Sequence, residues 1–305
     1  MRRPQWAADV ALASIALLWG STFVIVKNAL DEVSPILYLA LRFAVASAVL
    51  FPLALRHGPI RPADWPAGLF TGLALFAGYA LQTVGLQWTS PGKSGFLTGL
   101  YILFVPVLSA VGYRKPPLRS EWLAIVLGLT GMWLLTGAGR SFSFGAGDLL
   151  TIGCAFAYAV HILLLGRYAP TQPPVRLACL QLVVCAVAAG ASFWWLEQPY
   201  LRWSPSVLVA VLVTGILATA VAFLLQTWAQ RHTTATRAAI LFSLEPLFAL
   251  LVSWLVGAER LTTPMLAGAG LILLSILLAE LKPCERAQAS RRGLEVEHHA
   301  GTHSS

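Results

Sequence analysis

The sequence predicts an all-α integral membrane protein with about ten transmembrane helices. Of its 305 residues, 57% are hydrophobic and only 11% are charged, and the mean hydropathy is +0.73. A bilayer span needs roughly 20 consecutive apolar residues, so about ten spans account for most of the chain. This composition excludes a soluble enzyme, a disordered chain and a receptor with a large extramembrane domain.

The predicted spans are charge-poor apolar runs bounded by proline, glycine and charged residues. Runs such as LAIVLGLTGMWLLTG and LAGAGLILLSILLAEL are apolar throughout, whereas strands of a membrane β-barrel would alternate in polarity over about ten residues. A helix also satisfies its own backbone hydrogen bonds in lipid. The predicted helices cover residues 8–28, 35–55, 65–86, 93–113, 120–138, 147–167, 175–196, 205–229, 236–256 and 264–281.

Basic residues indicate how these spans are oriented. When the loops are assigned alternately to two sides, 15 Lys and Arg residues fall on the side of the amino terminus and 5 on the opposite side, while Arg42 lies within a span. Cytoplasmic loops carry an excess of Lys and Arg, so both termini are predicted to be cytoplasmic. We therefore attribute the net charge of +8 to loops that orient the helices in the lipid bilayer, which is the expected partner. Binding to nucleic acid would instead need a basic face on a soluble module.

The sequence predicts no cofactor and no metal site. Its four cysteines show neither CxxC spacing nor interleaved histidines. A GxxxxGK[ST] phosphate-binding loop is absent, which excludes an ATP-driven pump built from this chain alone. The HExxH and GxSxG motifs are absent as well, so no catalytic residue is assigned and the chain is not predicted to be an enzyme.

The second half of the chain echoes the first in an ordered series of positions. Because five spans per repeat is an odd number, the second copy enters the membrane from the opposite face. Residues 8–138 and 147–281 are therefore predicted to be inverted five-helix repeats, an arrangement typical of secondary transporters, followed by a disordered cytoplasmic tail at 282–305. The matching positions are Asp9 and Asp148, Thr71-Gly72 and Thr214-Gly215, Leu81-Gln82-Thr83 and Leu225-Gln226-Thr227, and Lys93 and Arg237.

Several segments resemble the drug/metabolite transporter superfamily and, within it, the EamA-like exporters of bacterial inner membranes. The resemblance covers residues 8–281 and is most specific where WGSTF in the first repeat is combined with LEP and GAERLT in the second. One departure is a loop that carries Arg114-Lys115 where the second repeat has Glu259-Arg260. The similar segments are LLWGSTFVIVKNAL at 17–30, LRF at 41–43, TSPGKSGFLTGLYILFVP at 89–106, AYAVHILLLGRYA at 157–169 and TTATRAAILFSLEPLFALLVSWLVGAERLT at 233–262.

The resemblance implies about ten helices in two inverted repeats and the export of small metabolites or amino acids. We therefore expect a secondary transporter of the inner (plasma) membrane that works by alternating access through a central cavity between the repeats. The expected partner is a small-molecule substrate, and protons are a candidate second partner. A membrane-embedded enzyme and a channel-like protein are the alternative functions.

Glu245 is the clearest functional candidate, because an ionisable side chain inside a span needs a partner or a water-filled cavity. Pro246 follows it and frees a backbone carbonyl at that point. The pair indicates either a site for a proton or a substrate amine, or a structural carboxylate paired with a cation such as Arg42. Pro106 predicts a similar break in the first repeat, where Tyr101 aligns with Glu245.

Further candidates are polar and aromatic residues at repeat-related positions. Trp19 with Thr22, Tyr79 with Gln82, and Tyr158 with His161 are each separated by three residues. This i, i+3 spacing places both side chains of a pair on one helix face, so that they line a cavity for a partly apolar or aromatic solute. The alternatives are helix packing or interfacial belts for the aromatics, and for His161 either proton coupling or a hydrogen bond to a neighbouring helix. With Glu245, the predicted cavity residues are Trp19, Thr22, Tyr79, Gln82, Tyr101, Tyr158, His161 and Gln226.

Overall fold

The structure is a computed structural model that describes residues 5–113, 118–136, 145–255 and 261–280. The predicted tail at 282–305 lies outside these ranges. So do the loop residues Arg114-Lys115 and Glu259-Arg260, at which the two repeats differ.

The described chain is α-helical, which confirms the predicted fold class. Its backbone forms no sheet, and one isolated bridge joins Val33 to Leu201. A 3₁₀ turn at Pro62–Asp64 precedes α3, and a π-helical segment at Ile216–Val221 joins α9 to α10. The helices are α1 (Gln5–Ala29), α2 (Pro35–Arg56), α3 (Trp65–Gly85), α4 (Pro91–Thr98), α5 (Tyr101–Tyr113), α6 (Arg119–Thr136), α7 (Ala146–Tyr168), α8 (Pro174–Leu196), α9 (Pro205–Gly215), α10 (Ala222–Gln230), α11 (Ala235–Phe242), α12 (Leu244–Leu255) and α13 (Thr263–Glu280).

Each predicted span corresponds to one helix or to consecutive helical segments. Eight segments in the described ranges are long and apolar enough to cross a bilayer. The shorter apolar helix α13 packs against α6, where a Cβ atom at Gly131 would lie 2.7 Å from the carbonyl oxygen of Gly268. The hydroxyl of Ser275 also donates to the carbonyl of Ala124 over 2.6 Å. Small residues thus bring the last helix of each half into backbone contact.

Two predicted spans are interrupted, and at equivalent positions. The span predicted at 93–113 is divided into α4 and α5, and the span at 236–256 into α11 and α12. Pro246 is the third residue of α12, where a missing N–H costs no helical hydrogen bond. This proline therefore accounts for the second break.

The prediction of a break at Pro106 is wrong, because this residue lies inside α5. The chain is interrupted earlier, between Thr98 and Tyr101, where the amide of Leu100 donates to the carbonyl of Leu97 over 3.2 Å in a 3₁₀-type bond. In the repeat alignment Tyr101 matches Glu245, so both breaks precede the same register position.

Two ion pairs connect the halves of the chain in a crossed pattern. Asp9 at the start of α1 pairs with Arg237 at the start of α11 over 2.8 Å. Lys93 at the start of α4 pairs with Asp148 at the start of α7 over 2.6 Å. Because Asp9 aligns with Asp148 and Lys93 with Arg237, each half supplies its acid to one pair and its base to the other. We refer to these two contacts as the crossed ion pairs.

Helix caps hold the two basic residues in place. The Ser90 hydroxyl accepts a hydrogen bond from the Lys93 amide over 3.3 Å, and the Thr234 hydroxyl accepts one from the Arg237 amide over 3.2 Å. A Ser or Thr N-cap satisfies an amide that the first turn leaves unpaired. Both basic side chains therefore leave the same position in a capped first turn and reach an acid on a helix of the other half.

Two further contacts between the halves lie at the ends of α8. Arg176 in its first turn pairs with Asp64, next to α3, over 2.9 Å. Glu197, directly after α8, accepts from the amides of Ile36 and Leu37 in the first turn of α2, each over 2.9 Å. A carboxylate at a helix amino terminus is favoured by the helix dipole, so α2, α3 and α8 form a second group that joins the halves.

We expect Asp9→Asn to lower stability by about 3 kcal/mol, because it leaves Arg237 without its buried carboxylate. The exchanged double variant Asp9→Arg with Arg237→Asp should recover most of this loss. Thermal unfolding of the purified protein in detergent measures the effect. The matched control is Arg231→Gln, at an exposed arginine just beyond α10, and should change stability little. The coupling would be contradicted if the double variant lost as much stability as Asp9→Arg and Arg237→Asp lose together as single variants.

Candidate functional site

A central cavity lies between the two halves. Its walls come from α1, α2, α3 and the α4–α5 break in the first half, and from α7, α10 and the α11–α12 break in the second. All nine residues singled out from the sequence line it: Trp19, Thr22, Tyr79, Gln82, Tyr101, Tyr158, His161, Gln226 and Glu245. Their binding of a substrate stays a prediction.

The cavity is asymmetric along the bundle. It extends toward the ends of α1 and α3, where Val26, Thr83 and Leu86 line it. Toward the start of α1 the bundle is filled by a hydrophobic cluster that includes Leu12 and Ile15, both fully buried. The structure thus shows a cavity that is closed toward the end where α1 begins, which we call the amino-terminal face.

Near this face, a buried hydrogen bond of the Gln230 side chain connects α10 to α7. The Gln230 amide donates to the carbonyl of Ile162 over 2.9 Å, and its oxygen accepts from the Gln226 amide over 3.0 Å. At the opposite face Leu86 occupies the position that aligns with Gln230, and its carbonyl accepts from the ammonium group of Lys27. Repeat-related positions at the two ends of the cavity therefore form different contacts, through a side-chain amide at Gln230 and through a backbone carbonyl at Leu86.

Aromatic rings form much of the wall. Trp19 lies 5.5 Å from Phe223 and 5.1 Å from Phe242 between ring centroids, and Tyr79 lies 5.5 Å from Tyr158 in an edge-to-face contact. Such rings offer broad apolar surfaces for a solute. Phe223 and Phe242 were not predicted as site residues, because a phenylalanine inside an apolar helix has the same sequence signature as a packing residue.

Hydrogen bonds connect the polar residues of the first half to α7. The Gln82 amide nitrogen donates to Thr98 over 3.0 Å, and its oxygen accepts from the Tyr158 hydroxyl over 3.3 Å. Gln226, the repeat counterpart of Gln82, is 1% exposed, and its side-chain oxygen has no partner among the described residues. An unsatisfied buried acceptor of this kind costs free energy, so Gln226 is available to a hydrogen-bond donor on a solute.

His161 takes part in a buried chain of hydrogen bonds. Its Nε2 lies 2.8 Å from the side-chain oxygen of Gln181, whose amide nitrogen in turn donates to Thr227 over 3.3 Å. Since an amide oxygen can only accept, Nε2 carries the hydrogen in this arrangement. The contact is the hydrogen bond to a neighbouring helix that we gave as one alternative for His161. Proton coupling through this residue stays a prediction.

Glu245 lies in the first turn of α12, directly after the break, and is 7% exposed. Tyr101 also lines the cavity, so the two register-equivalent residues that follow the breaks lie in its wall. The alternative of an ion pair with Arg42 is not formed: no Lys or Arg in the described parts of the chain lies within ion-pair distance of Glu245.

Arg42 is held by neutral groups. Its Nε donates to the Thr219 hydroxyl over 2.7 Å, and its Nη2 donates to the Tyr79 hydroxyl over 3.2 Å and to the Ala218 carbonyl over 3.4 Å. The guanidinium carbon also lies 4.7 Å from the centre of the Tyr79 ring, which is favourable for a cation. Arg42 is thus oriented by α3 and by the segment after α9.

The π-helical segment supplies two of these acceptors. In a π turn the backbone bonds run from i to i+5, and such turns are frequent at functional sites. The Ala218 carbonyl in this segment also accepts from the Trp19 indole over 2.9 Å. The aligned part of the first half lies within α3, which is a regular helix. The cavity therefore departs from repeat symmetry where Trp19 and Arg42 converge.

Comparison with known proteins identifies the fold and the family. The family model described as the EamA-like transporter family matches residues 6–137 and again 145–281. An uncharacterized transporter from Archaeoglobus fulgidus is 34% identical over 275 residues, covering 90% of this chain and 86% of the relative. The uncharacterized transporter YvbV from Bacillus subtilis is 26% identical over 286 residues, covering 92% and 93%.

The chain belongs to the EamA-like transporter family. A solved crystal structure of a protein with 21% identity has the same fold, with a TM-score of 0.77 and coverage of 91% of this chain and 98% of that chain. The resemblance noted in the sequence is thereby confirmed, and the protein is a multi-pass membrane transporter with a small-molecule substrate.

The Glu245 region depends on close contact between α1 and α12. A Cβ atom at Gly20 would lie 2.4 Å from the carbonyl oxygen of Glu245 and 3.0 Å from the amide nitrogen of Ala249. Both are backbone atoms, so the contact cannot be relieved by the movement of a side chain. A larger residue at Gly20 has to separate the two helices.

We expect Gly20→Ala to destabilise the protein by about 1–3 kcal/mol, as overpacking does. The control is Gly190→Ala in α8, where a Cβ would meet no atom within 4 Å. That variant should be neutral or stabilising by up to about 1 kcal/mol, because alanine favours the helix. Unfolding temperatures in detergent measure both. Equal unfolding temperatures for the two variants would contradict the close contact.

Proposed function

We propose that this EamA-like protein is a secondary transporter that exports small metabolites or amino acids across the inner membrane by alternating access. The observation that supports this most directly is the cavity between the halves, which extends toward one end of the bundle and is closed by packed apolar side chains at the other. A channel would instead need a path that is continuous across the bundle. A cavity with one closed end fits a carrier that exposes its site to one side at a time.

The two halves, residues 8–138 and 147–281, act in this proposal as inverted repeats. In such repeats the substrate site lies near the midplane, often beside interrupted helices. The breaks before Tyr101 and Glu245 are of this kind, and both residues line the cavity. Exchange of the conformations of the two halves would open the amino-terminal face and close the other.

The distribution of basic residues assigns the faces. With 15 Lys and Arg on the side of the amino terminus and 5 opposite, the amino-terminal face is cytoplasmic in our proposal. The cavity then extends toward the outside, and the structure represents the state from which an exported solute leaves. The reverse transition would take up the next solute from the cytoplasm.

The chemistry of the walls favours a partly apolar solute with polar groups. The rings of Trp19, Tyr79 and Phe223 provide flat apolar surface, and Gln226 provides an unpaired acceptor. Glu245 is suited to take up a proton or a substrate amine, since its carboxylate faces the cavity and has no cationic partner among the described residues.

Transport by exchange is tested by counterflow in proteoliposomes. Vesicles that contain the folded protein are loaded with unlabelled amino acids or metabolites, and entry of the labelled solute is followed. We expect saturable accumulation for at least one solute, and none in vesicles prepared without the protein. No accumulation across broad pools would contradict the proposal, and single-channel currents would support the channel alternative.

Proton coupling is tested by Glu245→Gln, which keeps the shape of the side chain but cannot ionise. We expect this variant to fold and to lose accumulation driven by a pH gradient, with at least a tenfold lower initial rate. Asp31→Asn removes an exposed carboxylate in the loop after α1 and is the matched control. Undiminished pH-driven uptake by Glu245→Gln would exclude this role for the carboxylate.

A further inference from the structure

The arrangement around Arg42 contains a donor group without a protein partner. A guanidinium has five N–H donors, and three of its bonds here go from Nε and Nη2 to Thr219, Tyr79 and Ala218. No acceptor in the described parts of the chain reaches Nη1. This nitrogen is also not among the atoms that are both fully buried and unsatisfied, so it is open to the cavity.

No carboxylate in the described parts of the chain forms an ion pair with Arg42. The three ion pairs among the described residues are the two crossed pairs and Arg176 with Asp64, all outside the cavity lining. Arg42 is 4% exposed, and an uncompensated charge inside a span is costly. A protein retains such a charge where a ligand of opposite sign completes it.

The surrounding groups fix the direction of the open donor. Thr219 and Ala218 belong to the π-helical segment, and the Tyr79 ring lies beneath the guanidinium. These contacts hold the guanidinium plane in place before any solute arrives, which reduces the entropy cost of binding. In the second half, Gln181 aligns with Arg42 and is bonded to His161 and Thr227, so this arrangement has no copy there.

We infer that Arg42 binds the anionic group of the transported solute, and that the solute carries a single carboxylate next to an apolar or aromatic part. The inference rests on the proposed function, because it assigns a substrate class to the same cavity. An N–H of Nη1 can donate to one carboxylate oxygen, and one fixed positive charge balances one negative charge. The apolar part of the solute then contacts Trp19 and Phe223, which lie beside the same π-helical segment.

Matched ligand pairs test this assignment on the purified full-length protein. Binding of 3-phenylpropionate is compared with 3-phenylpropionamide, and phenylalanine with phenylalaninamide, by isothermal titration calorimetry in detergent. Each pair differs only in the replacement of a carboxylate by an amide. We expect the carboxylates to bind about 10- to 100-fold more tightly, as a charge-assisted hydrogen bond does, and Arg42→Gln to reduce this ratio to about one.

Arg42→Lys keeps the charge without the planar fork and should retain part of the preference. It also serves if Arg42→Gln fails to fold, which size-exclusion chromatography and unfolding temperature show. Arg176→Gln removes a buried arginine outside the cavity and should leave the ratio unchanged. Equal binding of amide and carboxylate by the wild-type protein, an unchanged ratio in both Arg42 variants, or no binding of any carboxylate would overturn the inference.

Counterflow with the same compounds separates this inference from the proposed function. Binding that depends on Arg42 without any exchange across the vesicle membrane would support the anion site and contradict transport. Exchange of compounds that lack an anionic group, unaffected in Arg42→Gln, would support transport and contradict the anion site.

Discussion

A bilayer provides no hydrogen-bond partner and no counter-charge, so charged groups within it need partners from the protein or from a bound ligand. The crossed ion pairs meet this requirement with residues from both halves. Asp9 pairs with Arg237 and Lys93 with Asp148, each close to the start of two helices. In these two pairs the acid and the base come from different halves. The pairs therefore hold the halves in one relative arrangement around the space between them.

The cavity is a consequence of this arrangement. The interrupted helices bring Tyr101 and Glu245 to the same level, and α1 approaches α12 so closely at Gly20 that only a glycine fits. On this frame the halves differ: the second has a π-helical segment that orients Arg42, whereas α3 is regular. Near-symmetry thus positions the site and its aromatic wall, and departures from symmetry give it one carboxylate and one open guanidinium.

Much of the fold was predictable because lipid imposes a simple length and polarity rule, and the positions lining the cavity were predictable because costly polar groups in spans point inward. The breaks were only partly predictable. Pro246 marks one correctly, but Pro106 does not mark the other, since α5 tolerates it. The partners of Arg42 were missed because they depend on a π turn, which has no simple sequence signature. The pairing of Lys93 and Arg237 with acids of the other half was not foreseen, although all four residues were recognised as matching repeat positions.

The most direct test of alternating access is a pair of distances measured by double electron–electron resonance in one reconstituted protein. Spin labels at Asn28 and Leu149, one in each half, report the end where the cavity extends, and labels at Trp6 and Arg167, again one in each half, report the amino-terminal face; all four residues are exposed. Alternating access predicts that a transported solute and a proton gradient shorten the first distance in the same population that lengthens the second. Distances that change together, or a population with both ends open, would contradict it.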